Sequence, residues 1–288
     1  MTVAQLTEFY QAHIAELEAY CQLHLLDEGD CSHVCLRSPC PHDHGAAKFR
    51  PLHEVEEDLD DTKTETEHSR QRNLMRALPL DMHVVVAVCI KPLTSGWEGV
   101  LGYALQRNGA TPQKVQTFVS HSWGQNFHDF VRTLQTLRPE TVLWICSFAL
   151  PQNIDISNVL GICPGSSPFA TALQRAERVV LAVDEAVEPL GRTWCCYEMY
   201  LTITSSKRLD IRAPRTSISL YCNIQERLSS MDIRCSASCT EDHERIMKVI
   251  QGSEDIVNQK IREQIQDLCQ FLQSFEQSPT GSSMKRRR

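Results

Sequence analysis

Residues 115–148, VQTFVSHSWGQNFHDFVRTLQTLRPETVLWICSF, decide the fold class. An apolar, β-branched segment at Val115–Ser120 is followed by a helical pattern at Asn126–Leu137 and by a second apolar segment at Thr141–Phe148. Strands that alternate with helices are typical of parallel strands joined by right-handed crossovers. This stretch therefore predicts a doubly wound α/β sheet.

The same alternation continues toward the carboxyl end of the chain. We predict strands at Val179–Asp184, Ser217–Tyr221 and, more weakly, Asp232–Ser236, and helices at Ser167–Glu177, Thr193–Ser205, Ile224–Ser230 and Glu241–Gln251. Five strands in this arrangement suit a flavodoxin-like parallel sheet with the order 2-1-3-4-5. The predicted α/β domain spans residues 114–251.

The segments outside this domain have a different composition. Helical spacing of apolar residues predicts an amphipathic helix from Val3 to about Leu26, and the acidic run Glu54–Glu67, opposed only by Lys63, is typical of a solvated linker. His83–Ile90 is apolar and β-branched, which favours a strand. We therefore predict four units: an N-terminal helix, Cys/His-rich segment and linker (1–70), a strand-containing segment (71–113), the α/β domain (114–251), and a C-terminal helix with a basic tail (252–288).

The C-terminal helix is predicted over about Glu254–Phe275. Its apolar residues recur at alternating steps of four and three, at Ile261, Ile265, Leu268, Leu272 and Phe275. This spacing fits either a helix that packs on the α/β domain or a dimerising coiled coil.

Composition excludes several classes of function. The 42% apolar and 23% charged content is ordinary for a globular protein, and the net charge of -7 argues against binding nucleic acid through a broad basic face. Neither a signal sequence nor an apolar run long enough for a bilayer is visible, so we expect no membrane association and a cytoplasmic location. The 13 cysteines are then expected to be free thiols or metal ligands. The basic tail Lys285–Arg288 is either a solvated end or a nuclear signal.

A binding crevice is expected at the carboxyl ends of the first and third strands of the domain, where the strand order reverses. The residues that follow Ser120 should face those that follow Val183. The polar candidates at this point are His121, Ser122, Trp123, Asp184 and Glu185.

The next predicted helix adds two candidates, Trp194 and Glu198, four residues apart on one face. Close to a helix N-terminus, the dipole would hold Glu198 ionised, which suits a carboxylate that stabilises positive charge or binds sugar hydroxyls. The alternative is an exposed helical glutamate. His121 is either an acid or base or a cap of the strand end, and the tryptophans are either stacking platforms or core residues.

Two motifs resemble those of TIR (Toll/interleukin receptor) domains. Thr117–Trp123, TFVSHSW, looks like the first strand of a TIR domain, and Arg192–Met199, RTWCCYEM, looks like the TIR helix motif Trp-Cys-x-x-Glu-Leu with Met199 in the leucine position. Their order along the chain is that of TIR domains. The resemblance covers about residues 114–251 and is closest to divergent TIR-like proteins with Ser-His-x-Trp-Gly and Trp-Cys-Cys-[Tyr/Phe]-Glu.

The resemblance implies a function. In enzymatic TIR domains the glutamate of the helix motif is the catalytic residue of an NAD glycohydrolase, which places that role on Glu198 and predicts NAD as the substrate with no cofactor required. Substrate contacts are expected from Ser120, His121, Ser122, Trp123, Asp184, Glu185 and Trp194. Two alternatives stay open: a non-catalytic signalling scaffold that self-associates, and another nucleotide-processing enzyme on the same sheet.

The loop Pro151–Pro168 departs from the family, because it lacks the Arg-Asp and Pro-Gly signature of the TIR BB loop, although Pro164-Gly165 is present. In the helix motif, we expect one of the adjacent Cys195 and Cys196 to pack inward and the other to remain a thiol.

A dense group of zinc-type ligands lies in the N-terminal unit, at Cys31, Cys35, Cys40, His42 and His44, with His33 among them. Thiolates and imidazoles are the ligands of structural zinc, although the spacing matches no common finger template. The segment is therefore either a structural zinc site or a flexible Cys/His-rich loop.

Overall fold

The structure is a computed structural model that describes residues 1–27, 49–51, 75–97, 101–161, 163–215, 218–236, 238 and 240–276. It begins with helix α1, Val3–Leu23. Three short strands form an antiparallel sheet in the order β2-β1-β3, with the bounds β1 His24–Asp27, β2 Phe49–Pro51 and β3 Met75–Ala77.

The segment predicted as a strand at His83–Ile90 is instead helical. Helix α2 runs without a break through an α-helical turn at Met82–Val85, a π-helical segment at Val86–Ile90 and a final α-helical turn at Lys91–Thr94. The Asp81 side chain caps its start by accepting a hydrogen bond from the Val84 N–H at 3.1 Å. The strand prediction was wrong because this helix is buried on most sides, so its sequence shows a continuous apolar run without helical alternation.

A four-stranded parallel sheet forms the centre of the molecule, in the order β5-β4-β6-β7. The strands are β4 Thr117–Ser120, β5 Leu143–Trp144, β6 Arg178–Ala182 and β7 Arg208–Arg212. The predicted parallel α/β architecture is confirmed, whereas five strands in a flavodoxin-like order are not.

Two predicted strands correspond to helices. Ser217–Tyr221 falls largely within helix α9, Ile218–Ser230, and Asp232–Ser236 holds the 3-10 turn Ile233–Cys235, whose start Asp232 caps. The fourth strand is β7, which sequence patterning missed because it reads RLDIR and only its leucine is buried. Its central Asp210 is paired with Arg178 at 3.5 Å and with Arg208 at 2.9 Å, as suits a polar edge strand.

Helices α4, α7, α8, α10 and α11 lie where the sequence predicts helices, whereas α3, α5 and α6 were not predicted. The second predicted strand, Thr141–Phe148, is shorter than expected because the chain enters α5 directly after β5. The bounds of these helices are α3 Tyr103–Arg107, α4 Phe127–Leu134, α5 Cys146–Ala149, α6 Ile156–Leu160, α7 Pro168–Arg175, α8 Thr193–Thr204, α10 Thr240–Ile250 and α11 Glu254–Glu276.

Each face of the sheet has its own apolar core, because side chains alternate along a strand. Val119, Val180 and Ala182 point into a core shared with α1, α2 and α4. Phe118, Val179 and Leu181 point to the other face, where α7 to α11 contribute. The N-terminal helices are thus part of the packing around the parallel sheet.

Helix α11 packs on the second face through Ile261 and Ile265, which are both buried. At these two positions the apolar repeat therefore belongs to a helix that packs on the α/β domain. In the part of the chain that the structure describes, no helix combines the length and the apolar character that crossing a bilayer requires.

Candidate functional site

The two motifs meet at the carboxyl end of the central strand. Ser120 is the last residue of β4, and its hydroxyl donates a hydrogen bond of 2.6 Å to Oε2 of Glu198, in the second turn of α8. Both side chains are buried, with Glu198 only 5% exposed. The alternative of an exposed helical glutamate is therefore wrong.

Burial controls the charge of this carboxyl group. Desolvation raises the pKa of Glu198 from 4.5 to about 8, and the Ser120 hydrogen bond opposes that rise only in part. The expectation that the helix dipole holds Glu198 ionised was wrong, because the dipole acts mainly within the first turn and Glu198 lies beyond it. At neutral pH this site holds a neutral carboxyl group.

A second hydrogen bond joins the loop that follows β4 to the loop that follows β6. The hydroxyl of Ser122 donates to Oε2 of Glu188 at 2.6 Å, and the Gly124 N–H donates to the same hydroxyl at 3.3 Å. Because β4 lies between β5 and β6, this bond bridges the point where the strand order reverses. Sequence reasoning missed Glu188, which lies in a 3-10 turn and carries no periodic signal.

The loop that presents Glu188 has an unusual backbone. Val187, directly before it, is buried and has φ 51° and ψ 37°, a left-handed conformation that β-branched residues rarely adopt. Gly124 faces this loop so closely that an added Cβ would lie 2.8 Å from Oε2 of Glu188. Strained backbone of this kind is concentrated at functional sites.

Of the two predicted acidic candidates in this loop, Asp184 lies near Glu188. Burial, followed by the charge of Glu188, raises the pKa of Asp184, and its Oδ1 atom is buried with no hydrogen-bond partner among the described residues. Glu185 is exposed and contacts α9 instead, where its backbone carbonyl accepts a hydrogen bond of 2.7 Å from Asn223.

His121 and Trp123 both contact Cys146, the first residue of α5. The sulfur lies 3.7 Å from Nε2 of His121 and accepts a hydrogen bond of 3.3 Å from the Trp123 indole N–H. Burial lowers the pKa of His121 to about 4 and raises that of Cys146 to about 12. The imidazole and the thiol are therefore both neutral at pH 7, which is unlike an activated cysteine nucleophile.

Trp194 contacts Asp242 and Phe169. Its indole N–H donates to Oδ2 of Asp242 at 2.8 Å, and its ring stacks on Phe169 with a centroid distance of 4.9 Å. Trp144 stacks on Phe118 in the sheet core. These contacts favour structural roles for both tryptophans.

Both cysteines of the helix motif are buried, contrary to the expectation that only one packs inward. The Cys195 thiol donates to the His121 carbonyl and the Cys196 thiol donates to the Leu190 carbonyl, each at 3.4 Å. The predicted zinc ligands Cys31, Cys35, Cys40, His42 and His44 lie outside the described residues.

Comparison of the chain with models of known protein families, with curated proteins and with solved structures found no match.

Proposed function

We propose that this protein hydrolyses the nicotinamide–ribose bond of NAD, with Glu198 as the catalytic residue. The observation that carries the proposal is the buried pair of Ser120 and Glu198 at the carboxyl end of β4, beside the point where the strand order reverses. The likeness of both motifs to those of TIR domains adds support. The four observed strands are compatible with a flavodoxin-like order, which we also propose.

The reaction needs a carboxylate beneath the ribose. The bond between C1′ and the nicotinamide nitrogen breaks, the electron pair leaves with nicotinamide, and water adds to C1′ and loses a proton, giving ADP-ribose. The transition state resembles an oxocarbenium ion, which a nearby carboxylate stabilises. Glu198 would take this role, with the Ser120 hydroxyl holding the carboxylate through the 2.6 Å hydrogen bond.

The substrate itself favours the required charge on Glu198. The nicotinamide ring of NAD is cationic, and an opposite charge within a few ångströms lowers the pKa of a carboxyl group. Substrate binding would therefore counteract the burial that raises the pKa of Glu198 to about 8. Glu198 is neutral before binding, releases its proton to solvent as NAD binds, and becomes the carboxylate that the reaction uses.

The neighbouring loops supply polar groups for the ribose. Ser122, Glu188 and the unpartnered Oδ1 of Asp184 offer one hydroxyl and two carboxylates near the end of β6. Such groups bind sugar hydroxyls. His121 and Trp123 lie beside Ser122 in the loop after β4. We propose that these five residues contact the substrate.

The test is to incubate the full chain with NAD and to measure free nicotinamide by chromatography. We expect release by the wild type, at least about a hundredfold less by Glu198→Gln, and wild-type release by Glu226→Gln, which removes an exposed glutamate of α9. Absence of release from concentrated or crowded wild type, or unchanged release from Glu198→Gln, would refute the enzymatic function.

The pH dependence gives a second readout. Because kcat/KM follows the ionisation of the free enzyme, it should rise with pH through a value near 8, the pKa of Glu198. A profile that is flat between pH 6 and pH 9, with substrate ionisation constant, would contradict the role assigned to this carboxyl group.

The alternative is a non-catalytic TIR-like scaffold that works by self-association. Two large apolar side chains on the C-terminal helices favour it, since Val249 is 47% exposed and Ile256 is 52% exposed. Such side chains indicate a protein contact where they lie together in one exposed apolar patch, which this proposal assigns to α10 and α11. Concentration-dependent association without nicotinamide release, lost in Ile256→Lys, would favour the scaffold.

A further inference from the structure

Three side chains of types that ligate metals come together at the contact between α1 and α2. His13 and Glu16 lie one turn apart on α1, and Cys89 lies on the π-helical part of α2. One potential ligand atom from each residue lies within 4.8 Å of the other two. Nitrogen, oxygen and sulfur donors thus converge from two helices that are distant in sequence.

The spacing is close to that of a metal centre. In a tetrahedral zinc site with bonds of about 2.0–2.3 Å, ligand atoms are about 3.3–3.8 Å apart. His13 Nδ1 and Glu16 Oε2 are already 3.7 Å apart. Bringing the Cys89 sulfur to bonding distance requires a shift of about 1 Å or less, which a side-chain torsion supplies.

The local structure fits a site rather than an accidental contact. Cys89 is held in place by burial, being 1% exposed, and the imidazole of His13 is held against the ring of Phe9 at a centroid distance of 4.8 Å. The backbone around Cys89 is π-helical, a form that is rare and that occurs frequently at functional sites. The π-helical segment is an observation independent of the ligand types.

We propose that His13, Glu16 and Cys89 bind a zinc ion with three protein ligands and one open coordination position. The donor set selects the metal, because a thiolate disfavours Mg²⁺ and Ca²⁺ and a mixed N, O, S set suits Zn²⁺. The open position follows from exposure: the side chain of Glu16 is 63% exposed and that of His13 is 23% exposed. Water or a small ligand can occupy the fourth position from solvent.

The site also has a mechanical consequence. A zinc ion bound to both helices joins α1 to α2 directly, in addition to their shared apolar core. Metal binding to the folded state alone adds to folding stability. This inference does not depend on the proposed NAD hydrolysis, since neither its residues nor its readouts involve Glu198.

The test uses the full chain, freed of metal with a chelator, and titrates it with Co²⁺ as a spectroscopic probe and then with Zn²⁺. A thiolate bound to Co²⁺ gives a charge-transfer band in the near ultraviolet. We expect this band to lose one thiolate contribution in Cys89→Ala. Glu16→Gln and His13→Gln should each weaken zinc binding by about tenfold or more, since losing even an outer-shell partner costs that much.

Matched controls lie on the same helix. Glu18→Gln removes a glutamate of α1 that is 51% exposed, and Cys21→Ala removes a buried thiol of α1. Both are expected to bind cobalt and zinc as the wild type does, and zinc should raise the melting temperature of both.

Two outcomes would overturn the proposal: no metal bound by the wild type, or metal bound equally by the wild type, Glu16→Gln and Cys89→Ala. Equal binding would place the metal at other ligands, such as the segment Cys31–His44. Because the side chain of Glu16 is exposed, Glu16→Gln is expected to fold, and it decides the question if circular dichroism shows that Cys89→Ala does not.

Discussion

Replacing Glu198 with glutamine is expected to stabilise the protein increasingly as the pH rises. Glutamine has nearly the same shape, and its side-chain oxygen can still accept the Ser120 hydrogen bond. It cannot ionise, so it removes the cost of keeping a carboxyl group in a buried position. The structure therefore predicts a stabilising substitution at the proposed catalytic position.

The magnitude follows from the pKa of the folded carboxyl group. Burial raises it from 4.5 to about 8. Between these values the unfolded chain has released its proton and the folded protein retains it, so the free energy of unfolding falls as the pH rises. The slope is about 1.4 kcal/mol per pH unit, and the full difference across roughly 3.5 pH units is about 5 kcal/mol. The Glu198 contribution is fully present below pH 4.5 and is lost above pH 8.

The wild type and Glu198→Gln are unfolded with denaturant at several pH values from 5 to 8, and tryptophan fluorescence monitors the unfolding. The quantity of interest is the difference in unfolding free energy between the two proteins, which cancels the titration of all other groups. Glu226→Gln, at an exposed position of α9, controls for the change in net charge. A difference that varies by less than about 1 kcal/mol over this range would refute the reasoning.

Three further outcomes are expected. His121→Gln should make the stability of the protein less sensitive to acid. Burial lowers the pKa of His121 from 6.5 in the unfolded chain to about 4 in the folded protein, so the free energy of unfolding of the wild type falls by up to about 3 kcal/mol as the pH drops from 6.5 to 4. Equal losses of stability in the wild type and His121→Gln at pH 4.5 would contradict this. Gly124→Ala should break the hydrogen bond between Ser122 and Glu188, because the added Cβ would lie 2.8 Å from Oε2 of Glu188. The free energy of unfolding, measured with denaturant, should fall by only about 1 kcal/mol, while nicotinamide release falls. Unchanged release would argue against a role of this hydrogen bond. Alkylation of the native protein, read by mass spectrometry, should modify exposed thiols before buried ones, and rapid labelling of the buried thiols would contradict the packing; among the described residues the exposed thiols are Cys163, Cys222 and Cys235, and the buried ones are Cys21, Cys89, Cys195 and Cys196.

The elements that sequence predicts well carry their own local signals. Asn126 caps α4 by accepting from the Asp129 N–H at 3.2 Å, and Ser167 caps α7, with Pro168 at the first helical position. The central strands β4 and β6 are apolar and buried, so they stand out from their surroundings. Capping and burial of this kind act within a few residues and are visible in one sequence.

The elements that were wrong depend on tertiary context. The apolar run at 83–90 is compatible with a buried strand or a buried helix, and the packing in the core that it shares with α1, α4 and the sheet distinguishes the two. Strand β7 is polar because it lies at the sheet edge, where its backbone pairs with β6 on one side alone. Neither burial on all sides nor an edge position is encoded by periodicity.

The candidate site was predictable to the extent that topology determines it. Parallel strands place their carboxyl ends at one edge, so the meeting of the Ser120 loop with the helix of Glu198 could be anticipated from the order of elements. The role of Glu188 could not be anticipated, because the direction of its side chain depends on the left-handed backbone of Val187 and on a 3-10 turn. The burial of Glu198 was also hidden, since α8 is surrounded by other elements and lacks a clear polar face.

The buried carboxyl group connects stability to the proposed function. A glutamate that lowers the free energy of unfolding by several kcal/mol at pH 8 is a poor structural choice when glutamine would fit the same space. Residues that violate a folding rule in this way are expected where function requires them. If Glu198 is catalytic, Glu198→Gln should gain stability and lose nicotinamide release in the same preparation. If Glu198→Gln gains stability but the wild type releases no nicotinamide, the carboxyl group serves another ligand or a conformational change instead. The free-energy cost of burying Glu198 would then still need a function that compensates for it.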